Sequence, residues 1–154
     1  MVPEKLEIKT ALQILKPVHE VFEAIVDPDK MSVYFISNSD GRIEEGKTLN
    51  WEFPEFDGSW PVKILKVQEN KHIEFSWKVA SGHITRAEIN LEPRENDSTM
   101  VRILEKSMEN NEDGVKWLLS NTEGWSFFLA CLKAYLEFGI NLRKGGYDFM
   151  TEPN

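Results

Sequence analysis

The most conspicuous chemical pattern in the 154-residue sequence is Gly41-Arg42-Ile43-Glu44-Glu45-Gly46-Lys47-Thr48, which satisfies the G-x-x-x-x-G-K-T spacing of a phosphate-binding loop. That chemistry needs a buried strand before the loop and a helix after it, whose first amides face the anion. Here Thr48 runs instead into the alternating Leu49-Asn50-Trp51-Glu52-Phe53, and Glu44 and Glu45 would repel phosphate. A Gly46 turn between two strands is the expectation, with no nucleotide and no other cofactor. His19-Glu20 opens like a zinc-binding H-E-x-x-H helix but has Glu23 where the second histidine belongs, and His19, His72 and His83 show no metal-ligand spacing. No metal is expected. Neither G-x-S-x-G nor a Cys-His signature occurs, and Cys131 lies in an apolar stretch where packing, not nucleophilic attack, is its natural role.

The remaining polar residues of interest stand at the parity of apolar ones. Continuing the Val101/Ile103 alternation places Glu105 on the same face, and continuing Ile89/Ala87 backwards places Thr85 and His83 there. An unpaired carboxylate is costly to bury, so Glu105 must meet a donor, water or a ligand, or lie beyond the sealed region. Polar groups converging on an apolar pocket are how small-molecule sites obtain orientation. Glu105 with His83 would also be the minimal acid–base equipment of a cyclase or hydrolase, but no nucleophile or electrophile accompanies them.

The elements that must position these residues read clearly. Lys5 to Leu15 alternates as a half-buried strand. Pro17 sets up a short helix through Val18, Val21, Phe22 and Ile25, which Asp27-Pro28 stops, and a second brief helix holds Met31, Tyr34 and Phe35. Asn38 to Gly41 reads as a turn, with a further strand around Gly41 to Glu45. Five alternating runs follow, around Trp51, Val62, Phe75, Ile89 and Val101, joined by short turn-rich segments that permit only an antiparallel meander. Ser120 and Glu123 fit a capping box that opens a long helix bearing Trp125, Phe128, Leu129, Leu132, Tyr135 and Leu136. Phe127, Cys131 and Phe138 widen that stripe, so more than a sheet must cover it, and Gly139 ends it. The fold class implied is α+β, a six- or seven-stranded curved antiparallel sheet wrapped around a C-terminal helix, with two short helices after the first strand. Residues 1–154 read as one domain, with a core over 5–139 and an extension over 140–154 whose Leu142, Tyr147, Phe149 and Met150 need a partner of their own.

Composition narrows the function classes. Eighteen basic against 26 acidic residues give a net charge of −8 with no basic stripe, which argues against nucleic acid and against an anionic membrane surface. The longest uncharged stretches, Met31 to Ser39 and Gly124 to Leu132, are about half of what a spanning helix requires. The charged opening Met-Val-Pro-Glu-Lys-Leu-Glu and the single cysteine suit a cytoplasmic protein.

Several segments together resemble a known family. Lys16-Pro17-Val18-His19-Glu20-Val21-Phe22-Glu23-Ala24 runs into Asp27-Pro28 and Tyr34-Phe35. Val62 to Val67 then leads to Ile73-Glu74-Phe75-Ser76-Trp77, followed by Thr99-Met100-Val101 and by Glu123-Gly124-Trp125 with Leu129, Leu132 and Tyr135-Leu136-Glu137. In this order they resemble the START-like, birch-allergen-like helix-grip (SRPBCC) superfamily, and within it the family related to the activator of the Hsp90 chaperone ATPase. The resemblance spans about Leu6 to Phe138. Tyr34 stands where the family usually has tryptophan, and the segment after Gly139 exceeds the usual end. It implies a ligand-cavity protein, with co-chaperone-like or stress-response roles among relatives and lipid binding or polyketide cyclisation among more distant ones; fold alone does not choose.

The expected function is therefore non-enzymatic binding of a hydrophobic or lipid-like small molecule between sheet and helix. Trp51, Phe53, Phe75, Trp77, Trp125, Phe128, Leu129 and Leu132 would supply the apolar surface, and Tyr34, Thr85 and Glu105 the polar fixation. The alternative is a protein-interaction module, either a homodimer or a partner of a chaperone, that uses the surplus apolar face of the helix and the Tyr147-Asp148-Phe149-Met150 segment. An enzyme built on Glu105 and His83 is the third reading.

Overall fold

The computed structural model describes residues 3–151; positions 152–154 of the C-terminal extension lie outside the described residues. The chain runs β1 (Lys5–Ile14), α1 (Val18–Val26), α2 (Pro28–Tyr34), β2 (Asn38–Ser39), β3 (Thr48–Glu52), β4 (Trp60–Gln68), β5 (His72–Lys78), β6 (Ile84–Arg94), β7 (Ser98–Glu109) and α3 (Glu112–Phe138), with a last 3₁₀ turn at Asp148–Thr151. Seven strands form one antiparallel sheet in the order β1-β7-β6-β5-β4-β3-β2. The expected meander is thus present, and the first strand closes it by pairing with the last along its whole length, Lys5 opposite Glu109 through Ile14 opposite Thr99. The sheet curves around α3, which lies against β1 and β7 and turns its apolar stripe to the concave face, a helix-grip architecture.

Local chemistry explains the joints. The Asp27 side chain accepts the Asp29 amide 2.9 Å away and Pro28 occupies the first turn, so α1 hands over to α2 without an intervening loop. The turns after β4 and β6 place Asn70, Asn96 and Asp97 at positive φ, where short polar side chains are tolerated. Gly139, at φ 65°, caps α3 in the left-handed conformation.

Two expectations are corrected. No strand forms over Gly41 to Glu45. Pairing is confined to Asn38 and Ser39, inside the segment read as a turn, because the Asp40 carboxylate takes both the Asn50 amide and its Nδ2 at 2.9 Å and ends the ladder there. The long helix also starts at Glu112, eight residues before the Ser120/Glu123 capping box. Its true cap is Asn111, whose Oδ1 accepts the Gly114 amide at 3.0 Å, with Glu112 and Asp113 in the first turn complementing the helix dipole. Gly114 belongs there for a steric reason: a Cβ would lie 1.9 Å from the Glu109 carbonyl oxygen and 3.2 Å from Leu6.

The apolar stripe of α3 is covered in the way its width demands. Trp117, Trp125, Phe128, Leu129, Cys131 and Leu132 are buried against the sheet and the two short helices. Phe127 is half-covered by the extension, whose Tyr147 ring stands edge-on 5.5 Å from it. Phe138 remains 67% exposed, so the stripe does not extend to the last turn.

Candidate functional site

On the concave face the strand parity aims large rings at the helix. Trp51 from β3 meets Phe75 at 5.4 Å and Trp77 at 6.2 Å, edge-on in both cases. Trp77 from β5 stacks on Trp125 of α3 at 5.7 Å, and Trp125 meets Phe128 one turn further on at 5.3 Å. Phe35, just after α2, closes the ring at 4.8 Å from Phe128, 5.3 Å from Phe53 and 5.9 Å from Trp51. These tilted and edge-on arrangements are the ones aromatic quadrupoles favour. Leu129 and Leu132 lie in the same buried layer. Tyr34 is fully buried beside Phe128 and Tyr135, and its hydroxyl donates to the Ala24 carbonyl at 2.9 Å; burial holds its phenol well above the usual tyrosine range.

Glu105 lies at the base of this aromatic box and is entirely buried. The Trp77 indole donates to Oε2 at 2.9 Å and the Trp125 indole to Oε1 at 2.8 Å. The Thr85 hydroxyl donates to Oε2, and Asn121 Nδ2 donates to Oε1 at 3.2 Å. A carboxylate offers about four acceptor positions, and four neutral donors fill them without a basic side chain. The inward parity expected for Glu105 and Thr85 is what places them here, 1% or less exposed. His83 is different: it falls one residue before β6, is exposed, and shares a hydrogen bond with Ser81 at 2.8 Å, so the acid–base pair with Glu105 does not assemble. Asn121 is the residue missed. It falls in the first turn of the expected helix, and its position four residues before Trp125 puts both on one helical face.

One donor in the box has no acceptor. Trp51 is 1% exposed and its indole Nε1 is buried without a hydrogen-bond partner among the described residues.

The mouth of the box is built from α2, the β3–β4 loop and the C-terminal extension. Arg143 reaches back from the extension to pair with Glu55, whose side chain is only 7% exposed. Its guanidinium lies 4.9 Å from the Tyr147 ring centre and 5.9 Å from that of Phe35. A cleft of about 290 Å³, open to solvent, lies beside this strap and is bordered by Ser32, Phe35, Pro54, Lys144 and Tyr147. Phe35 therefore has one side on the cleft and the other on the aromatic box.

The lesser candidates resolve as follows. Lys47 pairs with Glu44 at 3.1 Å and Thr48 opens β3, so the phosphate-loop spacing is a turn between strands. Burial pushes the Cys131 thiol up to about 11, which suits a packing role. The one histidine–carboxylate grouping among the described residues, His72 with Glu74 and Glu88, lies on the convex face of the sheet, away from the box.

Comparison with known proteins fits this geometry. Residues 16–137 match the family model described as "Activator of Hsp90 ATPase homolog 1-like protein". The chain belongs to that family. A crystal structure of a Staphylococcus saprophyticus protein is 35% identical over 90% of this chain and 96% of its own, with a TM-score of 0.77. The solution structure of an Aha1 dimer from Colwellia psychrerythraea is 23% identical over 87% and 98%, with a TM-score of 0.75. The crystal structure of CalU16 from Micromonospora echinospora is 22% identical over 84% and 73%, with a TM-score of 0.68. The last two show likeness of fold. No curated protein matches. Family membership favours a binding scaffold over an enzyme, and no helix among the described residues is long and apolar enough to cross a membrane.

Proposed function

We propose that this protein binds a small, largely apolar or lipid-like molecule between sheet and α3 without transforming it. Trp51, Phe53, Phe75, Trp77, Trp125, Phe128, Leu129 and Leu132 form its apolar bed. The observation that carries the reading is the Trp51 indole N–H, a buried donor lacking an acceptor where the neighbouring Trp77 and Trp125 indoles both have Glu105. Leaving such a donor unpaired costs about 1–3 kcal/mol, and a ligand with one hydrogen-bond acceptor would recover it. Glu105 and Thr85 contribute by fixing the planes of Trp77 and Trp125, and Tyr34 by anchoring α2 beside Phe128. Because the rings touch one another, the ligand enters by displacing Phe35, the ring that borders the cleft.

N-phenyl-1-naphthylamine, whose fluorescence rises in apolar surroundings, tests this. It should bind saturably and be displaced by medium-chain fatty acids. Trp51→Phe should weaken the fatty acid by about fivefold to tenfold, the worth of one hydrogen bond, while leaving a plain hydrocarbon competitor nearly unchanged. Absence of saturable binding, or equal losses for both competitors, would overturn the reading.

A second reading has its own observation. Phe138, Ile140, Leu142, Phe149 and Met150 are 45–67% exposed, an apolar surface consistent with self-association, and one structural relative is described as a dimer. Light scattering before and after truncation at Arg143 tests it: a dimer that becomes a monomer supports the reading, and a monomer in both cases removes it. A chaperone partner rests on the family description alone.

A further inference from the structure

The convex face of the sheet carries a group that spacing along the chain conceals. His72 and Glu74 are two residues apart on β5 and so share a face, and Glu88 on β6 stands directly opposite Glu74 in the ladder. Their alternating neighbours Ile73, Phe75, Ala87 and Ile89 are buried on the concave side, which fixes the three outward. One ligand atom from each lies within 4.8 Å of the other two, and His72 Nε2 is 3.9 Å from Glu88 Oε1. We propose that His72, Glu74 and Glu88 form a binding site for a divalent transition-metal ion, with Zn²⁺ the best match.

Four features carry the proposal. The first is the tautomer. His72 Nδ1 is 2.6 Å from Asn90 Oδ1. An amide oxygen can only accept, so Nδ1 donates to it and Nε2 is the ring nitrogen that faces the carboxylates, the one free to ligate; this is the second-shell arrangement that orients metal-bound histidines. The second is charge. Glu74 and Glu88 are like charges directly across a ladder, an unfavourable pairing that a dication between them reverses. Two cations flank Glu74, Arg86 at 3.9 Å, over half exposed and not within hydrogen-bonding distance, and Lys66 opposite it on β4, which forms no ion pair with it among the described residues. The third is shelter: the three side chains are only 14%, 16% and 19% exposed, unusual for charged groups on an outer sheet face. The fourth is donor type. One imidazole nitrogen with two carboxylates suits zinc-like ions better than Mg²⁺ or Ca²⁺, which prefer oxygen throughout. Bonding distances of about 2.0–2.2 Å would require the three atoms to draw closer together around the ion, with water completing the tetrahedron.

The test is calorimetric titration of the full chain with Zn²⁺ in a non-chelating buffer, with Co²⁺ as a spectroscopic stand-in. One equivalent of Zn²⁺ should bind, and Co²⁺ should give the intense visible bands of four-coordination. His72→Ala and Glu88→Gln should each lower affinity at least about tenfold, and Asn90→Ala by about tenfold through loss of ring orientation. His83→Ala should leave binding unchanged, and excess Zn²⁺ should raise the Tm of the parent chain but not of His72→Ala. Circular dichroism of each variant separates lost binding from lost fold. Absence of stoichiometric binding, binding indifferent to His72→Ala, or equal competition by Mg²⁺ would overturn the proposal. The site is on the opposite face from the aromatic box, so its failure leaves the proposed ligand binding untouched.

Discussion

Two buried carboxylates are stabilised in opposite ways within one small structure. Glu105 is fully buried and held by four neutral donors that come from β5, β6 and α3, all parts of the frame. Glu55 sits at the mouth on the β3–β4 loop and relies on one cation, Arg143, from a segment beyond the end of α3. The first arrangement can be dismantled only by unfolding, since its donors are the walls of the box. The second can open locally, because lifting the extension returns both charges to water. A rigid interior behind a releasable mouth is the layout that an occluded binding site requires.

The largest effect should follow from Glu105→Leu. It removes the shared acceptor and strands two indoles, a hydroxyl and an amide, with an expected loss of about 3–5 kcal/mol in urea unfolding and collapse of the near-ultraviolet tryptophan dichroism. Arg143→Met should cost less, about 1–2 kcal/mol, because Glu55 can escape to solvent when the extension lifts. Adding Glu55→Gln to that variant should recover part of the loss. Equal costs for the Glu105 and Arg143 variants would break the contrast between frame and strap.

Labelling of Cys131 sharpens the same contrast. With its thiol pushed up to about 11 by burial, it should react negligibly with a thiol reagent at pH 8 in the folded protein and stoichiometrically after denaturation. Arg143→Met removes the positive charge that pulls the thiol downward, which by itself would raise it further, so the faster labelling expected of that variant reports exposure through the lifted extension. The smallest effect concerns Glu137 near the end of α3. Burial raises its carboxyl, but the Leu15 amide and Lys133 outweigh that and leave it below the ordinary glutamate range. A group lowered on folding contributes stability above its unfolded pKa and loses it as pH falls through the folded value. The stability gap between parent and Glu137→Gln should therefore be present at pH 7 and close as the solution is acidified below the ordinary glutamate range.

Much of this organisation is legible in the sequence because burial on one face imposes a period of two. Trp51, Phe75, Trp77, Thr85 and Glu105 all point inward as their parity requires. What is not legible is where regular structure begins when a local signal competes. Gly114 and the Ser120-Asn121-Thr122 run have weak helix propensity, and the Ser120/Glu123 spacing mimics a cap, so burial of Trp117, not propensity, extends α3 back to Asn111. Asn121 lies within the helix on either boundary, and its bond to Glu105 depends on how α3 packs against β7, which linear spacing does not encode. For His83, a strand starting one residue later leaves the imidazole in a turn on Ser81. His72, Glu74 and Glu88 were invisible for another reason: their proximity depends on the β5–β6 register, which linear spacing does not encode.

The aromatic box, with Trp51 as its unpaired donor, is the proposed seat of the ligand. The most direct measurement is the nitrogen–proton spectrum of the five tryptophan indoles during titration with a medium-chain fatty acid. A ligand seated there should shift the Trp51 indole saturably in the direction of a new hydrogen bond, with Trp77 and Trp125 moving less because Glu105 already holds them. A titration in which the Trp51 resonance stays in place, while only signals from the extension respond, would contradict it.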